Sequence, residues 1–174
     1  GVLNVTLEAK PTMLPFNGGK RWALTYNGTF PGPTLIAKPG DTINVTLKNS
    51  TNMMTNLHTH GPHVPPTGNS DNPFIVVNPG KTFDYEIKIP LTQKSGIFWY
   101  HPHHHGMVAA EESSGLYGMI FDLGQTSLKS DGFNHTSFIY ERLSNTQILT
   151  SGNSTVSIPA AIGTGSETSY FTGA

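Results

Sequence analysis

The sequence predicts an all-β protein, an antiparallel β-sandwich, on three observations. Short segments of alternating apolar and polar residues recur along the first two thirds of the chain. Turn-forming clusters separate them about every ten residues, the spacing of sandwich strands. The composition, with 19 Gly and 13 Pro in 174 residues and abundant Thr, Asn and β-branched side chains, favours strands and turns over long helices.

Each element follows from its local pattern. Residues 2–9 carry Val2, Leu3, Val5 and Leu7 and read as the first strand. A strand at 34–37 follows the turn Pro31-Gly32-Pro33, and one at 42–47 follows Pro39-Gly40-Asp41. Further strands fit 83–89 after Asn78-Pro79-Gly80, 96–101 after Lys94-Ser95, and 116–123 after Gly115. One domain is expected at 1–124. The remainder, 125–174, reads as a linker followed by strand-like material without evident partners in the chain. Its better strand lies at 137–143, and polar low complexity is the competing reading for its last third.

Charge and composition exclude several function classes. Charged residues make up 12% of the chain and the formal net charge is −1, which offers no field for gripping phosphate backbones or anionic lipid. Neither nucleic acid nor membrane is expected as a partner, and no apolar run reaches the roughly 20 residues of a membrane span. The absence of Cys rules out disulfides, zinc-thiolate sites and a thiolate ligand for a blue-copper centre. N-x-S/T triplets at Asn4, Asn27, Asn44, Asn49, Asn134 and Asn153 suit a secreted, extracellular or periplasmic glycoprotein, although an Asn- and Thr-rich chain also makes such triplets by chance. A start at Gly1 without Met is what a processed chain would show.

Seven of the eight histidines fall in two segments, His58-Thr59-His60-Gly61-Pro62-His63 and His101-Pro102-His103-His104-His105. On a strand, residues two apart share a face, so His58 projects with His60, and His101 with His103. Two such strands side by side would bring four imidazoles to one volume, a donor set suited to copper or zinc and not to magnesium or calcium. A single His-x-His is more often a solvated pair; two of them, each after apolar strand residues, point to a metal. His63, His104 and His105 are weaker ligand candidates, because intervening residues face away. His135 stands alone and reads as a surface residue.

These segments belong to an ordered set of motifs. Asn27-Gly28-Thr29-Phe30-Pro31-Gly32-Pro33-Thr34-Leu35 comes first, then Gly40-Asp41-Thr42 and Val45-Thr46-Leu47-Lys48-Asn49. His58-Thr59-His60-Gly61, Asn78-Pro79-Gly80, Gly96-Ile97-Phe98-Trp99-Tyr100-His101-Pro102-His103 and Gly115-Leu116-Tyr117-Gly118 follow. From about residue 26 to 123 the chain resembles the first domain of the multicopper oxidases, the family of laccases and ascorbate oxidases. The resemblance implies a cupredoxin-type Greek-key sandwich with copper as cofactor. It implies His58 as a ligand of the type 2 copper, His60 and His101 on one copper of the type 3 pair, and His103 on the other. It also matches Asp71 to an acidic residue that relays protons toward the cluster; a turn Asp capping backbone amides is the plainer reading of that residue. Many members carry Gln in the stretch that here reads Ala109-Ala110-Glu111-Glu112, a departure that leaves Glu111 and Glu112 without an inherited role. Trp99 and Tyr100 read as core and support residues. Residues 134–145 resemble the first strand of the family's second domain.

In the family, electrons enter singly at a blue copper, cross to a trinuclear cluster and reduce dioxygen to water. This chain would supply half of the cluster's histidines and no blue-copper site, so it is not expected to act as an oxidase alone. Three readings stand: a part of a multicopper oxidase completed by its remaining domains or another chain; a stand-alone copper-binding carrier, with His63 or His105 as added ligands; and a structural module that self-associates by donating its tail strand to a neighbouring sheet edge.

Overall fold

The computed structural model describes residues 1–16 and 18–122, together with the backbone of 138–143, 146–151 and 154–159. The chain divides into two compact units, Gly1–Ser127 and Leu128–Ala174.

The first unit contains β1 (Val2–Phe16), β2 (Gly19–Tyr26), β3 (Leu35–Ala37), β4 (Thr42–Asn49), β5 (His58–His60), β6 (Thr82–Lys88), β7 (Gly96–His101), the short helix α1 (Val108–Ser113) and β8 (Gly118–Asp122). One sheet has the order β2-β1-β4-β6 and the other β3-β8-β7-β5, so the chain passes between sheets at most connections, as a Greek-key sandwich does. Pairing is mixed rather than wholly antiparallel: β1 runs parallel to β4, and β3 to β8.

Alternation sets which face is buried. In β1 and β4 the parallel register places Leu3 beside Ile43, Val5 beside Val45 and Leu7 beside Leu47. The antiparallel pairing of β4 with β6 then adds Ile87, Tyr85 and Phe83 to the same three rows. Leu35, Ile120 and Phe98 form a matching row in the second sheet. A single core cluster takes residues from both sheets, among them Leu7, Ile43, Val45, Tyr85, Tyr100 and Ile120, so the two sheets pack face to face. Tyr100 lies opposite Gly118 and donates its hydroxyl to the carbonyl of Pro33 at 2.6 Å. A Cβ on Gly118 would come within 2.2 Å of that hydroxyl oxygen, so a side chain there has no room.

Two elements were not expected. β2 pairs with the second half of β1 as an antiparallel hairpin, Ala9 opposite Tyr26 through Phe16 opposite Gly19. Its sequence carries Lys20, Arg21 and an exposed Trp22, which disguise the alternation. α1 interrupts the expected run from β7 to β8; Ala109, Ala110, Glu111 and Glu112 are good helix formers.

The second unit corrects the expectation of unpartnered strand material. β9 (Phe138–Leu143), β10 (Thr146–Ser151) and β11 (Ser154–Pro159) form their own antiparallel sheet in the order β11-β10-β9. Leu143 pairs with Thr146 and Ser151 with Ser154, each across a two-residue connection. The low-complexity reading of the last third, and the placement of His135 and of the triplets at Asn134 and Asn153, lie outside the described residues.

Candidate metal centre

The histidine strands are neighbours. β5 pairs antiparallel with β7 so that His58 lies opposite His101, Thr59 opposite Tyr100 and His60 opposite Trp99. Thr59 and Tyr100 are buried in the core, at 3% and 0% exposure, so His58, His60, Trp99 and His101 share the outer face. The donor nitrogens of His58, His60 and His101 lie within 4.8 Å of one another, close enough for one metal ion, and no other such group exists among the described residues.

Hydrogen bonds select which nitrogen faces the shared volume. His58 Nδ1 contacts Asp71 Oδ1 at 2.9 Å, and the same oxygen accepts from the Thr59 amide at 2.7 Å. An ionised carboxylate only accepts, so His58 Nδ1 carries the proton and Nε2 keeps its lone pair. His101 Nδ1 lies 2.9 Å from the Pro102 carbonyl, again an acceptor, which leaves His101 Nε2 as donor; it sits 3.5 Å from His60 Nδ1. Partial burial, then the His101 and His58 imidazoles, push His60 below its ordinary value and favour the neutral ring that a metal needs.

His103 differs from its expected placement. β7 ends at His101, and His103 follows Pro102 outside the strand, its position set by its amide donating to Asn56 Oδ1 at 2.6 Å. Its ring centroid lies 5.1 Å from that of His58, at the rim of the group. Its Nδ1 is buried without a hydrogen-bond partner, a cost that a metal would relieve. Three clustered imidazoles and this orphaned nitrogen fit a copper or zinc ion. His63, whose amide donates to Gln93 Oε1, and His105 are exposed and lie outside the group, as does His104.

The support is built from buried polar side chains. Asn49 closes the loop after β4, with its amide nitrogen donating to the carbonyls of Met53 and Val77 at 2.7 and 2.8 Å. Asn56 donates to the Pro73 carbonyl while accepting from His103, and the Leu57 amide donates to the Tyr85 hydroxyl at 3.0 Å. Trp99 stacks on His101 at 4.0 Å and on His60 at 5.2 Å between ring centroids, packing against two of the clustered imidazoles. Sequence reasoning missed Asn56 and set Glu112 aside. Glu112 Oε1 lies 2.5 Å from His101 Nδ1. The only sequence signal was the pair of acids on a short segment after the histidines. Its neighbour Glu111 is fully buried, with neither carboxyl oxygen in hydrogen-bond geometry. Burial pushes its carboxyl up to about 7, opposed by the nearby Thr55 hydroxyl and aided by the charge of Glu112.

Burial also bears on the N-x-S/T triplets. Asn49 is 0% exposed and its amide nitrogen is engaged twice, so it cannot carry a glycan; Asn4 stays exposed.

Comparisons with known proteins agree with this architecture. The chain is 36% identical to copper resistance protein A of Escherichia coli over 113 residues, 63% of this chain and 17% of that protein. It is 36% identical to a multicopper oxidase of Staphylococcus haemolyticus over 123 residues, 70% of this chain and 27% of that protein. The chain thus spans less than a third of the length of these relatives. Among solved structures, a metallo-oxidase of the multicopper type from Campylobacter jejuni superposes with a TM-score of 0.65 at 30% identity, covering 72% of this chain and 26% of that one. A multicopper oxidase from Pseudomonas thermotolerans gives the same score and identity over 78% and 32%. These neighbours make the sandwich one of the cupredoxin type. A family model described as multicopper oxidase matches residues 8–122, from the middle of β1 to the end of β8 and through both histidine strands. That match takes in well over half of the chain, which therefore belongs to the multicopper oxidases, a family whose cofactor is copper.

Proposed function

We propose that this chain provides the copper-binding first domain of a multicopper oxidase and supplies half of the histidines of a type 2/type 3 trinuclear site, at which dioxygen is reduced to water once the other domains are present. The convergence of His58, His60 and His101 within 4.8 Å carries the reading. The approach of His60 Nδ1 to His101 Nε2 supports their sharing one ion; His58, held by Asp71, would serve the type 2 ion and His103 the second type 3 ion. Bound copper would supply one-electron redox chemistry. The residues of this chain present lone pairs, hold the Nδ1 protons of His58 and His101, and limit water on the core side. Asp71, buried and bonded to His58, would pass a proton toward the site. Without Cys the chain holds no thiolate copper site of its own. The remaining domains, in the same or another chain, are its partners, and a secreted, extracellular or periplasmic location fits the exposed Asn4 triplet. No helix among the described residues is long and apolar enough to cross a membrane.

A stand-alone copper carrier is the second reading, favoured by the fact that three donors in one volume can hold an ion unaided. β9, β10 and β11 pair with one another, so a tail donated to a neighbouring sheet would join it through an edge of this small sheet.

Elemental analysis of the purified chain and of His58→Ala/His101→Ala tests the site. At least about one copper per chain, lost in the double variant, is expected. No oxygen consumption is expected from the chain alone, and turnover by it would overturn the need for further domains. A parent chain that takes up no copper even when copper is added would overturn both copper readings.

A further inference from the structure

We propose that Glu112 is a positioning residue for His101, holding that imidazole from behind as Asp71 holds His58; this rests on the copper reading above. His58 and His101 are directly opposed across β5 and β7, and each has a carboxylate oxygen on its Nδ1, Asp71 at 2.9 Å and Glu112 at 2.5 Å. The His101 side chain is 4% exposed; its Nδ1 hydrogen-bonds to Pro102 O at 2.9 Å, and Glu112 Oε1 lies 2.5 Å from the same nitrogen. Both are acceptors, which fixes the tautomer with Nε2 toward the metal volume.

Glu112 adds what the Pro102 carbonyl lacks, a negative charge. A charge-assisted contact is shorter and stronger than one to a neutral carbonyl, and a carboxylate on the remote nitrogen makes the imidazole a better donor to a doubly charged ion. The carboxylate is also well anchored. Glu111, the preceding residue, is buried, its amide donates to Met107 O, and its carbonyl accepts from Leu116 N at 3.1 Å. Trp99, stacked at 4.0 Å, limits tilt of the ring from its flat side. With the ring held in its plane by Glu112 and on its face by Trp99, His101 enters copper binding already oriented, which lowers the ordering cost of forming the site.

The test uses the full chain and has two readouts. Cu(II) affinity is measured by competition with a chromophoric chelator for the parent, Glu112→Ala and Glu112→Gln; the Nδ1 proton of His101 is followed by 15N-edited NMR of the metal-free chain. We expect Glu112→Ala to weaken Cu(II) by about 10- to 100-fold. Glu112→Gln, which keeps length and an acceptor oxygen but not the charge, falls between and guards against a folding defect in the shorter variant. The Nδ1 proton resonance should move upfield in both. Parent-strength copper binding in Glu112→Ala, or an unmoved proton resonance, overturns the positioning role and leaves the copper reading intact. Absence of copper from the parent overturns the copper reading, whereas the proton resonance still decides whether Glu112 holds His101.

Discussion

Glu111 is the residue whose chemistry departs most from its surroundings. Its carboxyl is 0% exposed, makes no contact of good hydrogen-bond geometry and has its ordinary value of 4.5 raised to about 7. Between those two values the folded chain binds more protons at this site than the unfolded chain. Stability therefore falls as pH rises from about 4.5 to about 7 and the loss is complete above that. At about 1.4 kcal/mol per unit, the ionised carboxyl costs on the order of 3 kcal/mol at pH 8. Glu111→Gln keeps the volume and removes the charge. It should stabilise the chain by roughly 2–3 kcal/mol at pH 8 and by much less at pH 5. Urea denaturation at both pH values checks this, and an equal gain at the two would contradict the burial argument.

Among the elements, the end of β5 is tightly constrained. Gly61 follows His60 with φ of +106°, and a Cβ there would meet Phe98 Cδ1 at 2.5 Å. Only a glycine meets both the backbone angle and the space, so the last residue of the His-x-His-Gly motif serves the turn that leaves the metal strand. Gly61→Ala should lower stability by about 2–3 kcal/mol, from the positive φ and the displaced Phe98 ring together. Thermal unfolding measures that loss. Because the turn fixes where β5 ends, copper affinity should fall as well. A chain that melted like the parent would show that the turn can relax without moving His60.

At the scale of the molecule, the core cluster is drawn from elements before residue 121, with contributions from both sheets of the first unit. A sandwich with its own core folds as a unit. Removal of residues 128–174 should leave one cooperative unfolding transition and the copper content of the parent. Its midpoint should move by less than roughly 4 °C, the shift that about 1 kcal/mol produces in a domain of this size. Calorimetry of the shortened chain measures it; loss of cooperativity would show that the first unit depends on the second.

The sequence by itself determined what is local. Period-two alternation at Leu3, Val5, Leu7 and Ala9 announces a half-buried strand, and the two His-x-His pairs announce a metal, because side-chain direction on a strand depends only on sequence spacing. The motif order disclosed the family. Only the tertiary structure decided what depends on pairing across the fold: the register that sets His58 against His101, the contact of Asn56 with His103 across 47 residues, and the parallel neighbours of β1 and β3. Glu112 was hidden for the same reason, since an acid on a short helix has no meaning until its chain position is folded against His101. The tail deceived in the opposite sense. Its Ser and Thr content conceals β10 and β11 as strands, and their pairing shows only where the backbone hydrogen bonds are made. Alternation records burial of one face, whereas partners are chosen by long-range packing that no local pattern encodes.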